Sequence, residues 1–527
     1  MAQIVIFSDV NGALGFSRYA GPYRIATELR QHGFSVQVID FFASYDISIL
    51  ENLLKLHVDK HTLFVGFAAT LWTKSVSDKE ITDSFTNGNK SLRSIIVDGF
   101  VPLFPQSEEF IDELFLQIRS RNPKCKIVVG GYKAGNYHNN NKVDYWILGQ
   151  GENSALALAN HLYYNTPLKG VSTEWGVIIT DKIYPYNGFN QSQIIWDKSD
   201  HLFNNENLPI ETARGCVFKC SFCAFNMNGK KFGDYTKEAD ILRNELIYNF
   251  ENYGIKEYMI SDDTLNDSME KVEYLYNIIS SLPFKIEFSA YARLDVLGTN
   301  LEMAPMLREM GMKSVEFGIE TMNKETGKHI GKQGDPEKII NTLTQLKNIW
   351  NDDVYMAAGF ILGLPYEDEK SLRKTMEWLY TNNNPLSGIQ LNRYWFHIPP
   401  TLPKEVGDKD NLEFAGFNLT PNGWVYENIS KIYSNPEKYG YINLKNGNWK
   451  NTHMDTETAK RLEKEFYDDA RAPQKKSMSI FQYYNRMRNI GYQHSEIKNL
   501  YYDDKDFVIE AVSRRSTAVL EYLRKIS

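Results

Sequence analysis

Three of the chain's four cysteines fall within eight positions, in the stretch ETARGCVFKCSFCAF at 211–225. Cys216, Cys220 and Cys223 are spaced C-x3-C-x2-C on a polar loop. The thiolate is the metal-binding form of cysteine, and clustered thiolates take zinc or an iron–sulfur cluster. A structural zinc wants four ligands, usually in two paired knuckles. The remaining cysteine, Cys125, sits far upstream in the apolar run CKIVVGG, and no histidine lies within the cysteine loop. A four-iron cubane held by three thiolates keeps one iron open to a small molecule, so the missing fourth ligand would itself be the reactive position. Zinc completed by a distant histidine is one alternative. Buried cysteines without metal are another, which the crowding of three thiols on one loop argues against.

Other chemistry-bearing residues recur where apolar runs end. ISDDTLN (260–266) carries Asp262 and Asp263, SAYARLD (289–295) carries Arg293, and VEFGIET (315–321) carries Glu320. GFILGLPYED (359–368) carries Gly359 and Gly363. The runs leading into them read as strands at 255–263, 284–293, 313–321, 354–365 and 388–400, with helical patterns at 236–254, 334–350 and 367–381. Six strand–helix units beginning at the cysteines predict a partial (β/α)6 barrel over 209–402, with its site at the strand carboxyl ends.

Residues 1–155 alternate in the same way. Strand-like QIVIFS, SVQVIDF, TLFVGFA and CKIVVGG are separated by helical patterns at 23–34 and 108–121. Near-continuous apolar strands between helices predict a doubly wound, Rossmann-like parallel sheet, which holds ligands beyond its strand carboxyl ends. Residues 75–105 read as an insertion over that edge, and 156–208 as a connector with some strand. Residues 403–527 read as a mostly helical region capping the barrel mouth. Within it, KKSMSIFQYYNRMRNIGY (475–492) predicts an amphipathic helix that packs Ile480, Phe481 and Tyr484 inward. The fold class is α/β.

The cysteine spacing resembles the radical S-adenosylmethionine family, whose signature is C-x3-C-x-aromatic-C, with Phe222 as the aromatic. The resemblance implies a [4Fe-4S] cluster on Cys216, Cys220 and Cys223 whose open iron is chelated by S-adenosylmethionine. It implies reductive cleavage of that cofactor to a 5′-deoxyadenosyl radical that abstracts hydrogen. It further implies cofactor contacts from Phe222, from Asp262 and Asp263 to the ammonium, from Arg293 to the carboxylate, from Glu320 to the ribose, and from Gly359 and Gly363 near the adenine. The exposed acids and the arginine have a plain alternative as solvated loop charges. Their recurrence at successive strand ends, in family order, favours the cofactor reading.

GPYRIATELRQHGFSVQVID (21–40), LFVGFAATLW (63–72), IVVGGYKAG (127–135) and VDYWILGQGE (143–152) resemble the cobalamin-binding domain that precedes the barrel in one class of this family. That resemblance implies cobalamin over Gly66, Ala68, Thr70, Gly130, Gly131 and Tyr132. The loop after the first strand, SDVNGALGFSRYAG, has Asn11 and no histidine where a D-x-H-x-x-G loop would offer cobalt an axial ligand. A domain that has lost the cofactor and only braces the barrel is the alternative.

The implied function is cobalamin-dependent methyl transfer to an unactivated carbon or phosphinate of a peptide or natural-product substrate. A non-methylating radical reaction such as cyclisation, epimerisation, ring contraction or oxidation is a second reading. A non-catalytic iron–sulfur sensor or scaffold is a third. No side chain is assigned a catalytic role. With Cys125 the only spare cysteine, an auxiliary cluster has no ligands. An external electron donor such as flavodoxin or ferredoxin is expected. The net charge of −7 creates no field that would draw in nucleic acid. No apolar run approaches membrane-spanning length, so no membrane partner is expected. Few cysteines and an N-terminus that reads as a strand fit a reducing cytoplasm.

Overall fold

A computed structural model describes residues 2–9, 14–68, 108–131, 142–173, 176–223, 235–381, 383–394, 417–420, 423–426, 449–469, 481–501 and 504–527. The insertion read at 75–105 lies outside them, as do Asn11, Thr70, Tyr132 and Ile480.

The first sheet is built from β1 (Ile4–Phe7), β2 (Val36–Ile39), β3 (Phe64–Ala68), β4 (Lys126–Gly130), β5 (Tyr145–Leu148), β6 (Val171–Thr173) and β7 (Gly176–Thr180). β1 and β2 are buried along their whole length, as strands covered on both faces must be. Helices α1 (Ala20–Gln31), α2 (Ile47–His57), α3 (Glu108–Arg121) and α4 (Glu152–Tyr164) provide the cover. The strand order is β2-β1-β3-β4-β5-β7-β6, parallel except for β6 against β7. The connector read at 156–208 therefore supplies two strands to this sheet. Both β2 and β3 pair with β1, so the strand order reverses there, the point at which doubly wound sheets take ligands.

The second sheet runs in chain order through β8 (Asn207–Ile210), β9 (Glu257–Ile260), β10 (Glu287–Ala292), β11 (Met312–Glu320), β12 (Tyr355–Leu362) and β13 (Gly388–Arg393), all parallel. Side chains alternate along β11. Val315, Phe317 and Ile319 join the core that also holds Leu343, Leu346 and Trp350 of the helix Pro336–Trp350. Ser314, Glu316, Gly318 and Glu320 thus take the inner face. β8 and β13 do not pair, and the barrel is open. At its mouth the Tyr394 hydroxyl donates to the Phe222 carbonyl at 3.4 Å, linking the end of β13 to the cysteine loop.

Of the described parts of 403–527, Trp449 and Asn451 sit at the mouth, against Gly363 and the Leu364 carbonyl, while the helices lie elsewhere. Helix α5 (Thr456–Asp468) runs along β13, where Tyr467 accepts the Leu391 N–H and Glu463 pairs with Arg393. Helix α6 (Phe481–Asn489) fills the opposite, amino-terminal end of the barrel. There Ser289 donates to Asn485 at 2.7 Å and Arg488 pairs with Glu257. Phe481 and Tyr484 are buried, as the amphipathic pattern predicts. Helix α7 (Lys505–Ile526) packs on the first sheet: the Tyr522 hydroxyl accepts the Asp40 N–H at 3.1 Å. Nε2 of His57 lies 2.9 Å from the Ile526 carbonyl oxygen. These placements follow from apolar faces that find cover wherever the tertiary fold leaves a gap.

Arg18, fully buried, ties these parts together. It donates to Asp40 at 2.9 Å, to Glu206 at 2.6 Å and to the Asp200 carbonyl, and lies 5.6 Å from the Tyr522 ring centre.

Candidate active site

The carboxyl ends of the two sheets face each other across a cavity of about 460 Å³. The first sheet contributes Gly66, Ala68, Gly130 and Gly131, and the turn Gly149–Gly151 closes one side. Gly149 and Gly131 hold positive φ values of 82° and 121°, which favour glycine. Between α1 and α4 the cavity is apolar, lined by Ile25, Ile147 and Ala155. The second sheet contributes Glu211, Ala213, Arg214, Ser261 and Asp263. Arg214 pairs with Glu152 at 2.6 Å and Glu211 at 2.9 Å, and stacks 4.7 Å from the Phe189 ring centre. Burial opposes ionisation of Glu211, yet Arg214 and Arg24 hold its carboxyl down to about 2. Glu211 is thus held as the carboxylate in this wall.

A second cavity, of about 210 Å³, is lined by Cys216, Cys220 and Cys223 with Phe218, Phe222, Asp263, Thr264, Tyr291, Arg293, Gly318, Glu320 and Lys332. Backbone contacts fix the cysteine loop: the Ser221 N–H donates to the Ile330 carbonyl, and the Arg214 N–H to Tyr235. Arg293 Nη1 lies 3.1 Å from Cys220 Sγ, and Thr264 Oγ1 lies 3.6 Å from Cys216 Sγ. Among the described residues no three His, Cys, Asp or Glu side chains are grouped to hold one metal ion. Three thiols spread around one cavity, with an N–H aimed at sulfur, fit a multi-iron cluster.

The structure separates the two adjacent aspartates. The Asp262 carboxylate accepts the Thr212 and Ala213 N–H groups at 2.7 and 2.9 Å and lies 3.2 Å from Lys271 Nζ. It is buried and committed to the end of β8. Asp263, one residue on, points the other way and lines both cavities. Burial, and then the Asp262 charge, push its carboxyl up to about 7. Glu320 lines the cysteine cavity with Lys332 Nζ at 3.7 Å, and its φ of 70° turns the chain there. Gly359 is open toward Glu316, whereas a Cβ on Gly363 would overlap the Trp449 indole. Gly363 serves close packing by the C-terminal region, with Trp449 Nε1 donating to the Tyr394 carbonyl at 2.8 Å.

Two residues escaped the sequence reading. Glu316 lies on the inner face of β11, where Gly318 and Gly359, paired in register, leave the wall bare. Its Oε2 is buried without a hydrogen-bond partner, and burial pushes the carboxyl up to about 7. The signal was a lone acid at an inward position of an apolar run, VEFG. Glu367 accepts the Thr321 hydroxyl and the Gly363 and Leu364 N–H groups, and holds the glycine turn.

Residues 210–379 match the model of the Radical SAM superfamily. An uncharacterized methyltransferase of Pyrococcus horikoshii is 27% identical over 195 residues, covering 35% of this chain and 41% of that protein. The chain thus spans about two fifths of that curated relative. Among solved structures, the cobalamin-dependent S-adenosylmethionine radical enzyme OxsB with aqua-cobalamin bound superposes with a TM-score of 0.56 at 13% identity, covering 99% of this chain and 80% of that one. The radical S-adenosylmethionine methyltransferase TsrM of Kitasatospora setae, with cobalamin and a [4Fe-4S] cluster bound, gives a TM-score of 0.50 at 16% identity, covering 80% of each chain. At these identities the likeness is one of fold.

Proposed function

We propose that the chain, whose residues 210–379 match the Radical SAM superfamily, is a radical SAM enzyme that transfers a methyl group from cobalamin to an unactivated carbon or phosphinate of a peptide or natural product. The observation that carries this reading is the pair of cavities meeting at Asp263, one at the thiols and one at the reversal point of the first sheet. When bound, the cluster would supply the electron that splits S-adenosylmethionine, and the corrinoid the methyl group. Cys216, Cys220 and Cys223 would hold the cluster. Asp263 faces the space between the cavities and would accept a hydrogen bond from the cofactor ammonium or the substrate. Glu316 and Glu320, on the inner face of β11, would accept hydroxyl donors of the nucleoside. Gly66, Ala68, Gly130 and Gly131 would hold the corrinoid, with Ile25, Ile147 and Ala155 supplying the apolar lining between α1 and α4. Electrons would come from an external donor. Among the described residues no helix is long and apolar enough to cross a membrane.

The test is anaerobic reconstitution with iron, sulfide and hydroxocobalamin, then desalting and an absorption spectrum. The reading expects a retained corrin band beside the iron–sulfur absorbance. It also expects Ala68→Phe, which fills the first cavity, to lose the corrin band and keep the cluster. A native chain that keeps its cluster and no corrin would overturn the methyl-transfer reading.

A further inference from the structure

Four of the five N–H donors of the Arg293 guanidinium are committed. Nε and Nη2 donate to the two oxygens of Asp295 at 2.9 and 2.5 Å, and Nη2 also donates to the Gly331 carbonyl at 2.9 Å. Nη1 donates to Cys220 Sγ at 3.1 Å. The Phe218 ring, between the first two cysteines, lies 3.8 Å from the guanidinium carbon. The residue is 5% exposed, and apart from the face that lines the cysteine cavity the arrangement is enclosed by protein. The fork that would clasp a ligand carboxylate is already filled by Asp295.

We infer that Arg293 sets the reduction potential of the cluster held by the three cysteines, and does not clasp the carboxylate of S-adenosylmethionine. The inference rests on the cluster reading of those cysteines. Hydrogen bonds to cluster sulfurs and nearby positive charge both stabilise the reduced, more negative state. Asp295 orients the guanidinium and partly offsets its charge. Phe218 braces the same group against the loop that carries Cys216 and Cys220. Arg293 is thus a positioning residue acting through a ligand.

The test uses the full chain, reconstituted anaerobically, in native, Arg293→Gln, Arg293→Lys and Asp295→Asn forms. A redox titration followed by electron paramagnetic resonance reads the potential, and equilibrium dialysis reads S-adenosylmethionine affinity. Arg293→Gln should lower the reduced-to-oxidised ratio at a fixed potential about tenfold, 59 mV for one electron. Arg293→Lys should fall between, and Asp295→Asn should shift the opposite way, with affinity in each within about threefold of native. An unmoved potential with a loss of affinity beyond about tenfold in Arg293→Gln would overturn the inference. If Arg293→Gln assembles no cluster, the sign of the Asp295→Asn shift decides. A native chain without iron–sulfur absorbance would overturn the cluster reading and the inference with it, a failure distinct from loss of the corrin band.

Discussion

Glu367 shows how one buried acid can organise a turn against which a distant indole packs. It is 1% exposed, accepts three hydrogen bonds, and burial pushes its carboxyl from 4.5 to about 8. The stability tied to its neutral form is complete below 4.5 and is lost as the pH rises through about 8. Glu367→Gln should therefore flatten the fall in melting temperature between about pH 4.5 and 8, read by scanning calorimetry. An unchanged slope would mean that the carboxyl is ionised throughout. Asp262 and Asp263 make a related point. Both were legible as acids at a strand end. Which of them faces the cavities was not, because successive side chains point to opposite sides and one of the pair is consumed by the N–H groups after β8. Glu316 was hidden for the same reason, being one letter in an apolar run until the register of β11 is known.

Apolar periodicity marked every strand of the barrel after β8, because each strand's outer face must meet a helix and leaves a local pattern. Helix α6 was legible as an amphipathic helix, but its destination was not. Its partners Ser289, Glu257 and Asn207 lie hundreds of residues away, 196 from Asn485 in the first case and 231 from Arg488 in the second. Arg488 and Glu257 are mostly buried, at 10% and 18% side-chain exposure. Arg488→Ala should cost about 2–4 kcal/mol by leaving Glu257 uncompensated, measured as a lower urea midpoint. A midpoint unchanged from native would show that α6 is held by its apolar face alone. Gly363 belongs to this scale too. Its glycine was read as an approach for ligand, and the structure gives the space to Trp449.

At the scale of the whole molecule, both sheets were anticipated as α/β units, since alternating strands and helices dictate them. Their mutual placement was not, because it rests on single buried polar groups that no periodicity reveals. Arg18 is the clearest of these. It faces Asp40 at the end of β2 and Glu206 just before β8, all three buried. Arg18→Met should cost about 3–5 kcal/mol, because two carboxylates are left without their cation. Arg18→Met with Glu206→Gln should recover part of that loss. Limited proteolysis of the single variant should cut between the sheets, and corrin retention should fall with it. A single variant as resistant as native would show that apolar contacts alone set the joint.

The seat of α7 sets an order of events. Tyr522 reaches a backbone group 482 residues earlier, and its ring packs on Phe41, just past the end of β2. During synthesis the first sheet leaves the ribosome long before its cover exists. Through that interval an aromatic face stays open to solvent, to chaperones and to neighbouring chains. The apolar cluster that Phe41, Phe42 and Tyr45 share with α7 is therefore complete only once that helix has emerged and docked.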